Sequence, residues 1–533
     1  MIFGGTETRT PACISQPIAV ATRRAVRSVD GEGEVSYREL EERQRKLGHL
    51  EELSEILGWD EAVIMPEAAG PRRGEAMATL SVLIHELAAD PELGELIAGA
   101  RAEGDQLDSW QRANLALIER AWRRATSLPA DLVRASTEAC FRCEQAWRRL
   151  RPENDWPGFR PLLEEVVATR RQVARALGDA FELSPYDALL DEYEPGARCA
   201  RIDQLFAELR RFLPDFTRRV LEHQEHIKVV YPEGPFPAAQ QRQLALRLME
   251  SVGFDSSRGR LDVSHHPFCG GVPTDVRITT RYDEGDFATG LMGVLHETGH
   301  AKYDQGLPAA WAGQPVGDGR SLGLHESQSL LLENQIGRSR EFLQFAAPFM
   351  REAFLEATAR RPEAFAADNL YRMCSRIQPG LIRVDADEVT YPSHVILRYE
   401  IERELIEGEF EVADIPERWD ASMRRLLGVS TENDYRDGCM QDVHWAAGIF
   451  GYFPTYTLGA LNAAQIFAAL LRAHPDLPEQ IAAGEFSALN SWLGDCIWSK
   501  ASSLDIDELM TKATGGPLDV AYFERYLERR FLA

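Results

Sequence analysis

Two histidines four residues apart form the clearest chemical feature of this 533-residue sequence. His296 and His300 lie in the run DFATGLMGVLHETGHAKY, and Glu297 directly follows the first of them. Residues four apart lie on one face of a helix, so both imidazoles could bind one divalent ion. Glu297 would lie beside that ion and accept a proton from the water it activates. The motif predicts a hydrolytic metal site, and the simpler interpretation is two helix histidines paired with water or core acceptors.

A metal site of this kind needs a third protein ligand. The residue six positions after His300 is Gly306, which excludes the third histidine of the metzincin pattern. The next candidates are His325, Glu326 and Glu333, in the helical pattern LHESQSLLLENQIGR. A helix–loop–helix connection of this length could bring Glu326 back to the metal. The residues that do not bind the ion would then orient those that do.

The elements that position these motifs are predicted to be helices. Asp286 is a suitable N-cap for the helix that carries His296, and an apolar stripe follows it. Ser36 and Glu39 form a capping box that should open a long helix. Apolar residues at three- and four-residue spacing predict further helices over residues 73–89, 108–125, 130–151, 159–182, 201–225, 238–251, 340–359 and 395–408.

One short region has the period of a strand. Within residues 259–281, Val276 and Ile278 alternate with polar residues, as do Leu261 and Val263. This pattern predicts a small antiparallel hairpin or sheet directly before the metal-site helix.

The stretch from Val443 to Leu471 lacks Asp, Glu, Lys and Arg and is long enough to cross a bilayer. Its glycines, amides and Pro454 would lack polar partners in lipid, so we expect a buried loop followed by a buried helix.

Composition limits the classes of partner. The chain has 84 acidic and 59 basic residues, a net charge of −25, so neither nucleic acid nor an anionic membrane is an expected partner. The eight cysteines show no regular framework, and the Cys140-x-x-Cys143 pair lies in a helical pattern without a second pair. We expect structural thiols in a reducing compartment. The N-terminus does not have the pattern of a secretory signal.

Taken together, six motifs resemble the carboxypeptidase Taq family of metallocarboxypeptidases. They are His266-Pro267-Phe268; Asp275, Arg277 and Thr279; His296-Glu297-Thr298-Gly299-His300; His325-Glu326-Ser327-Gln328; Ile382-Arg383-Val384-Asp385-Ala386-Asp387; and Gly438, Gln441-Asp442 and His444-Trp445. The similarity runs from about Tyr37 to the C-terminus. Residues 1–35 lie outside it, and we expect them to be a flexible N-terminal extension.

The resemblance implies a mainly α fold, in which residues 36–533 form one large helical peptidase domain with a deep groove. It implies a cytoplasmic homodimer that removes single residues from peptide C-termini with broad specificity. One divalent ion per chain is expected, Zn²⁺ or another such as Co²⁺ or Mn²⁺. With the resemblance, Glu326 becomes the favoured third ligand.

The other motif residues are expected to bind substrate. Arg383 is our first choice to bind the free α-carboxylate of the peptide, and Arg277 is the second, because a guanidinium grips both oxygens at once. Each could instead pair with a nearby aspartate. His444, Tyr452 and Tyr456 are candidates to stabilise the oxyanion, and His266 is a candidate to line the groove.

Two other functions are open to this sequence. The same site could belong to an endopeptidase that acts within short peptides, since a similar groove serves both reactions. Alternatively, the chain could be a helical binding scaffold with a structural metal. A structural zinc site usually closes its fourth position with Cys or His, whereas this one offers a glutamate base.

Overall fold

A computed structural model of the chain describes residues 35–532. The predicted extension over residues 1–35 lies outside these residues, apart from Val35. The described chain is mainly helical, with one small sheet, which confirms the predicted fold class. No helix among the described residues combines the length and apolar composition that a membrane span requires.

The α-helices, in chain order, are α1 Val35–Val63, α2 Gly70–Ala88, α3 Pro91–Ala102, α4 Ser109–Thr126, α5 Ala130–Leu150, α6 Trp156–Phe181, α7 Pro185–Tyr193, α8 Cys199–Gln224, α9 Ala238–Ser251, α10 Phe287–Gly306, α11 Leu322–Leu330, α12 Arg340–Ala353, α13 Leu355–Arg360, α14 Ala367–Cys374, α15 Tyr391–Glu407, α16 Ile415–Leu427, α17 Pro454–Ala473, α18 Leu477–Ala483, α19 Ser487–Cys496, α20 Ile506–Thr514 and α21 Val520–Leu532. A π-helical segment, Leu331–Gly337, directly follows α11.

The predicted helices are found with small shifts at their ends. The prediction for residues 340–359 was wrong in one respect, because Phe354 leaves the helical conformation and separates α12 from α13. Its ring packs against Phe236 and Phe287, which favours this break. The predicted capping box is also wrong, since the Ser36 N–H donates to Glu103 rather than to Glu39.

The sheet has three strands, β1 Gly259–Val263, β2 Phe268–Val272 and β3 Asp275–Thr280, in the order β1-β3-β2. Strands β2 and β3 form an antiparallel hairpin, with Phe268 opposite Thr279. The sequence predicted β1 and β3 as strands but not β2, which contains Gly270 and Gly271. Strand β1 pairs with β3 in parallel, so the expectation of a purely antiparallel sheet was wrong. The connection between β1 and β3 runs through β2, which forms the opposite edge.

Two large hydrophobic cores lie side by side and share helix α17. Leu458 and Leu461 of α17 belong to the core built mainly from α5–α8, α15 and α16. Ile466 and Leu470 belong to the core that contains β3, α9, α10 and α12. The predicted buried loop and helix in the uncharged stretch are therefore confirmed. A third, smaller cluster lies between α1, α3 and α4.

A buried ion-pair network joins three segments of the first core. Asp442 accepts hydrogen bonds from Arg383 Nη2 at 2.8 Å and from Arg398 Nε at 2.7 Å. Both arginine side chains are at most 2% exposed. Burial alone would raise the pKa of Asp442, but the charges of Arg383 and Arg398 hold it well below its usual range. The carboxylate therefore stays charged and ties both arginines to the loop before α17.

We predict that Asp442→Asn lowers the free energy of unfolding at pH 7 by about 3–5 kcal/mol, because two buried guanidinium groups lose their counter-charge. The folded-state pKa of Asp442 is depressed, so its contribution is present above the unfolded value of about 4 and is lost as the pH falls further. Urea unfolding at neutral and at acid pH measures this. A difference between the two proteins that does not shrink at acid pH would contradict the assignment.

Candidate metal centre

The two histidines of α10 and one glutamate of α11 converge on a single point. His296 Nε2 lies 3.6 Å from Glu326 Oε2, and His300 Nε2 lies 3.4 Å from the same oxygen. One donor atom of each residue lies within 4.8 Å of the other two. The three side chains are 15–23% exposed, so the site is sheltered but open to solvent.

An N-terminal cap and core packing hold helix α10 in place beneath this site. Asp286 caps it as predicted, since its carboxylate accepts from the backbone N–H groups of Ala288 and Thr289. The opposite face of the helix buries Leu291 and Leu295 in the second core. The 3.6-residue period then turns His296, Glu297 and His300 away from that core.

Helix α11 ends in the π-helical segment, which alters the direction of the side chains that follow. Glu333 lies within that segment, seven residues after Glu326. Glu326 lies near Nε2 of His296, while Glu333 lies 3.0 Å from Nδ1 of the same ring. The change of helical geometry thus places two carboxylates on opposite sides of one imidazole. Such π segments occur frequently at functional sites.

The first histidine is oriented by a charged pair behind it. The Nδ1–H of His296 donates to Glu333 Oε2, and Glu333 Oε1 accepts from Arg338 Nη2 at 2.6 Å. Burial raises the pKa of Glu333, but Arg338 and His296 outweigh this and hold it at about 2. Glu333 is therefore an ionised acceptor for Nδ1–H, which makes Nε2 the nitrogen of His296 that can bind an ion.

The second histidine is oriented by a chain of two groups. His300 Nδ1 lies 2.6 Å from His325 Nδ1, and His325 Nε2 lies 2.9 Å from Asp304 Oδ1. In a neutral His325 whose Nε2–H donates to Asp304, Nδ1 is an acceptor, and His300 then donates from Nδ1. This arrangement leaves the His300 Nε2 lone pair free and directed towards Glu326.

The donor set fits a divalent ion. Ligands about 2.1 Å from an ion in a tetrahedral arrangement lie roughly 3.4 Å apart, close to the separations found here. Two imidazoles and one carboxylate are a common set for catalytic zinc, and they leave one position for water. Metal ligands must be deprotonated. Burial lowers the pKa of His296, but Glu326 and its neighbours raise it to about 10, so an ion would displace a proton there.

Glu297 lies between the two candidate histidine ligands in sequence and does not belong to the convergent set. Burial raises the pKa of its carboxyl to about 7, while the charge of His296 lowers it and those of Glu326 and Glu333 raise it. A carboxylate with a pKa near neutrality can both take up and release a proton at neutral pH. The position and pKa of Glu297 suit proton transfer.

Aromatic residues connect this site to the buried ion-pair network. The Tyr452 and Tyr456 rings lie 5.3 Å apart, and the guanidinium of Arg383 lies 5.1 Å from the Tyr456 ring. Burial holds the pKa of both tyrosines well above the usual range, and the charge of Glu326 raises it further. Both hydroxyls therefore keep their protons and could donate a hydrogen bond to an oxyanion.

His444 is fully buried beside these tyrosines. Its ring lies 4.5 Å from Phe453 and 5.6 Å from Tyr452. Neither ring nitrogen has a hydrogen-bond partner among the described residues. Burial lowers its pKa to about 3, so the ring is neutral at neutral pH. One of its nitrogens is thus available to a water or a substrate that reaches it.

The structure gives both candidate arginines protein partners. Arg383 is 1% exposed, and three of its five N–H groups donate to Asp442 and Tyr391. Arg277 pairs with Asp275 at 2.6 Å and stacks on the Trp59 ring, which is the structural role considered above. Of these two residues, only Arg383 contacts the aromatic cluster next to the metal site.

His266 lies in the connection between β1 and β2. Its carbonyl oxygen accepts a hydrogen bond from the Ser264 hydroxyl at 2.5 Å, and its half-buried ring lies 4.5 Å from that of His265. Burial raises the pKa of Cys269, three residues later, and the charges of Asp304 and Glu297 raise it further, so strand β2 runs near Glu297.

Sequence reasoning missed three residues that orient the site. Asp304 lies four residues after His300 on α10, so the same spacing that joined the two histidines would have found it. Arg338 follows Glu333 by five residues, and the π-helical segment is what brings two side chains at this spacing into contact. Nothing in the sequence around Tyr391 indicates its role, because its contact with Arg383 depends on the fold.

Known proteins resemble this chain over nearly its whole length. Residues 39–531 match the family described as carboxypeptidase Taq (M32) metallopeptidase. Thermostable carboxypeptidase 1 of Thermus thermophilus is 39% identical over 515 residues, 94% of this chain and 99% of the relative. Carboxypeptidase 1 of Bacillus subtilis is 33% identical over 488 residues, 91% of this chain and 96% of the relative.

A solved structure of Trypanosoma cruzi metallocarboxypeptidase 1 is 42% identical, with a TM-score of 0.91, and covers 93% of this chain and 99% of that one. The M32 carboxypeptidase of Deinococcus radiodurans R1 gives a TM-score of 0.87 at 33% identity, with the same coverage. These matches confirm the family resemblance and favour the carboxypeptidase over the endopeptidase and the scaffold. The chain belongs to the carboxypeptidase Taq family of metallopeptidases and is a metal-dependent carboxypeptidase.

Proposed function

We propose that His296, His300 and Glu326 hold one Zn²⁺ and that this site removes C-terminal residues from peptides with broad specificity. The observation that carries the proposal is the convergence of the two Nε2 atoms on Glu326 Oε2, with both Nδ1 atoms occupied by other groups. A bound ion would supply Lewis acidity towards the attacking water and the scissile carbonyl. Other divalent ions, such as Co²⁺ and Mn²⁺, fit the same donors.

Glu297 is the proposed general base. It takes the proton of the water as that water attacks the scissile carbonyl, and it then delivers the proton to the leaving amine. The pKa of about 7 suits both halves of this exchange.

Tyr452, Tyr456 and His444 are the proposed donors to the tetrahedral oxyanion. Both tyrosine pKa values respond to the charge of Glu326, so both hydroxyls lie within its electrostatic reach. A protonated hydroxyl aimed at the developing negative charge stabilises the transition state more than the substrate. The His444 ring lies 5.6 Å from the Tyr452 ring, and Glu326 is not among the charges that shift its pKa, so we place it farthest of the three from the metal site.

Arg383 is the proposed source of positive charge for the free α-carboxylate at the closed end of a deep groove. It lies across the Tyr456 ring from the metal site, at a place where the net charge of −25 would otherwise repel an anion. Because Asp442 and Tyr391 already occupy Arg383, it acts either by direct contact after a side-chain movement or through Tyr391. Arg277 and His266 remain secondary candidates for groove contacts.

The homodimer, the cytoplasmic location and the boundary between an N-terminal extension and the peptidase domain near residue 36 remain proposals. All seven cysteines in the described part of the chain are free, which supports a reducing compartment. Burial raises the pKa of both Cys140 and Cys143, so this pair has the character of structural thiols. The acidic surface supports peptides, rather than nucleic acid or anionic membranes, as partners.

Replacing the proposed base should separate chemistry from metal binding. We predict that Glu297→Gln keeps stoichiometric metal and loses nearly all turnover, because the amide keeps the shape of the side chain but cannot accept the proton. Metal analysis of the purified variant and steady-state hydrolysis of a short peptide measure the two properties. Loss of the metal from this variant would show that Glu297 is itself a ligand.

The two glutamates that flank His296 should contribute unequally to metal binding. We predict that Glu326→Ala weakens Zn²⁺ binding strongly, whereas Glu333→Ala weakens it less, by about 10–100-fold, as expected for a group that orients a ligand. A competition titration against a chromogenic chelator ranks the variants. The reverse ranking would make Glu333 the third ligand.

Recognition of the peptide end can be tested with matched substrates. We predict that Arg383→Ala lowers kcat/KM for free-acid peptides by roughly two to three decades and has little effect on the already slow cleavage of C-terminally amidated ones. The ratio of the two rates cancels any loss of folded protein. An equal loss on both substrates would assign Arg383 a structural role only, and Arg277→Ala in the same assay tests the second candidate.

A further inference from the structure

Helix α11 lies between α10 and α17 and meets α10 at a glycine. A Cβ atom built on Gly299 would lie 2.4 Å from the Gln328 carbonyl oxygen and 2.5 Å from Ser329 Cα. Helices α10 and α11 therefore touch backbone to backbone one residue before the second histidine ligand. This contact prevents α11 from moving closer to α10.

On its other side, α11 meets α17 at Gly459, and the group that faces this glycine is the Glu326 side chain. A Cβ atom at residue 459 would lie 2.7 Å from Glu326 Cγ and 2.8 Å from Glu326 Cβ. Non-bonded carbon atoms are normally about 3.5–4.0 Å apart, so even one methyl group would overlap the ligand.

A change of rotamer would not remove this overlap. The Cβ atom of Glu326 is fixed by the α11 backbone, whatever χ1 the side chain adopts. One further contact limits the movement of α11 itself, because the Gly323 N–H donates to Glu194 Oε2 at 3.0 Å. Within α11, the Ser329 hydroxyl donates to Glu326 Oε2 at 3.2 Å and helps to hold that side chain. A side chain at residue 459 would have to push the ligand and its helix together.

We propose that Gly459 is a positioning residue for the metal site, because its bare Cα admits the Glu326 side chain between α11 and α17. Metal–ligand distances tolerate changes of only about 0.2 Å, whereas relief of the overlap needs a larger shift. The inference rests on the proposed ligand role of Glu326. It adds a residue from a third helix, one without a side chain, to the determinants of metal affinity.

The test is Gly459→Ala in the full chain, with Zn²⁺ affinity measured by chelator competition and the site examined by the visible spectrum of bound Co²⁺. We expect Zn²⁺ binding at least about tenfold weaker than in the unmodified protein and altered Co²⁺ bands, because the carboxylate no longer lies at ligand distance. Unchanged affinity together with an unchanged Co²⁺ spectrum would overturn the proposal.

Two control variants separate positioning from general destabilisation. Gly293→Ala lies on α10, where the added methyl group would meet nothing within 4 Å, so metal affinity should stay normal. Leu470→Ala removes core packing from the far end of α17 and should lower stability without altering the Co²⁺ spectrum. If Leu470→Ala weakens Zn²⁺ binding as much as Gly459→Ala does, the positioning role is refuted.

Failure of the ligand assignment has its own signature. Glu326→Ala is measured alongside, and unchanged affinity in that variant would refute the ligand role rather than the positioning role alone. If Gly459→Ala does not fold, the pair Glu326→Gly and Glu326→Gly/Gly459→Ala decides. If the double variant folds, the added methyl group overlaps the Glu326 side chain, as proposed. If Glu326→Gly folds and the double variant does not, the overlap is with the backbone of α11, and the proposal is overturned.

Discussion

An imidazole can offer a lone pair to an ion only if its single proton resides on the other nitrogen, and the surroundings of this site are arranged around that requirement. Each histidine of α10 has its Nδ1 beside a protein group that can accept a hydrogen bond from the Nδ1–H. This group is Glu333 for His296 and His325 for His300. Both groups come from α11 and its π-helical continuation. The segment that supplies the third candidate ligand therefore also sets the tautomers of the other two.

Within residues 35–532, two buried carboxylates near the site have arginine counter-charges, and Glu297 does not. Glu333 has Arg338, and Asp442 has Arg383 and Arg398, while Glu297 has no arginine partner in the described residues and keeps a pKa near 7. A general base must be able to take up a proton, and a fixed cation beside it would oppose that. The two carboxylates that pair with arginines here are thus held ionised, and the one proposed for proton transfer is not.

The metal-site helix, its cap and most helical segments could be predicted because they depend on spacing along the chain. Other features depend on residues that are distant in sequence. The parallel pairing of β1 with β3 could not be read from alternation alone, which is the same for both strand directions. The burial of Arg383 depends on Asp442, 59 positions later. Similarly, nothing in the local sequence indicates that Gly459 faces Glu326, because that contact exists only after α17 packs.

Helix α17 links the two large hydrophobic cores, which would otherwise suggest two independently folding halves. One part of its surface completes the first core, another completes the second, and Gly459 borders the proposed ligand between them. Neither core can open without exposing apolar side chains of the same helix, so the two halves should unfold cooperatively. An ion bound at the site would then stabilise both halves through mass action, although it touches only α10 and α11.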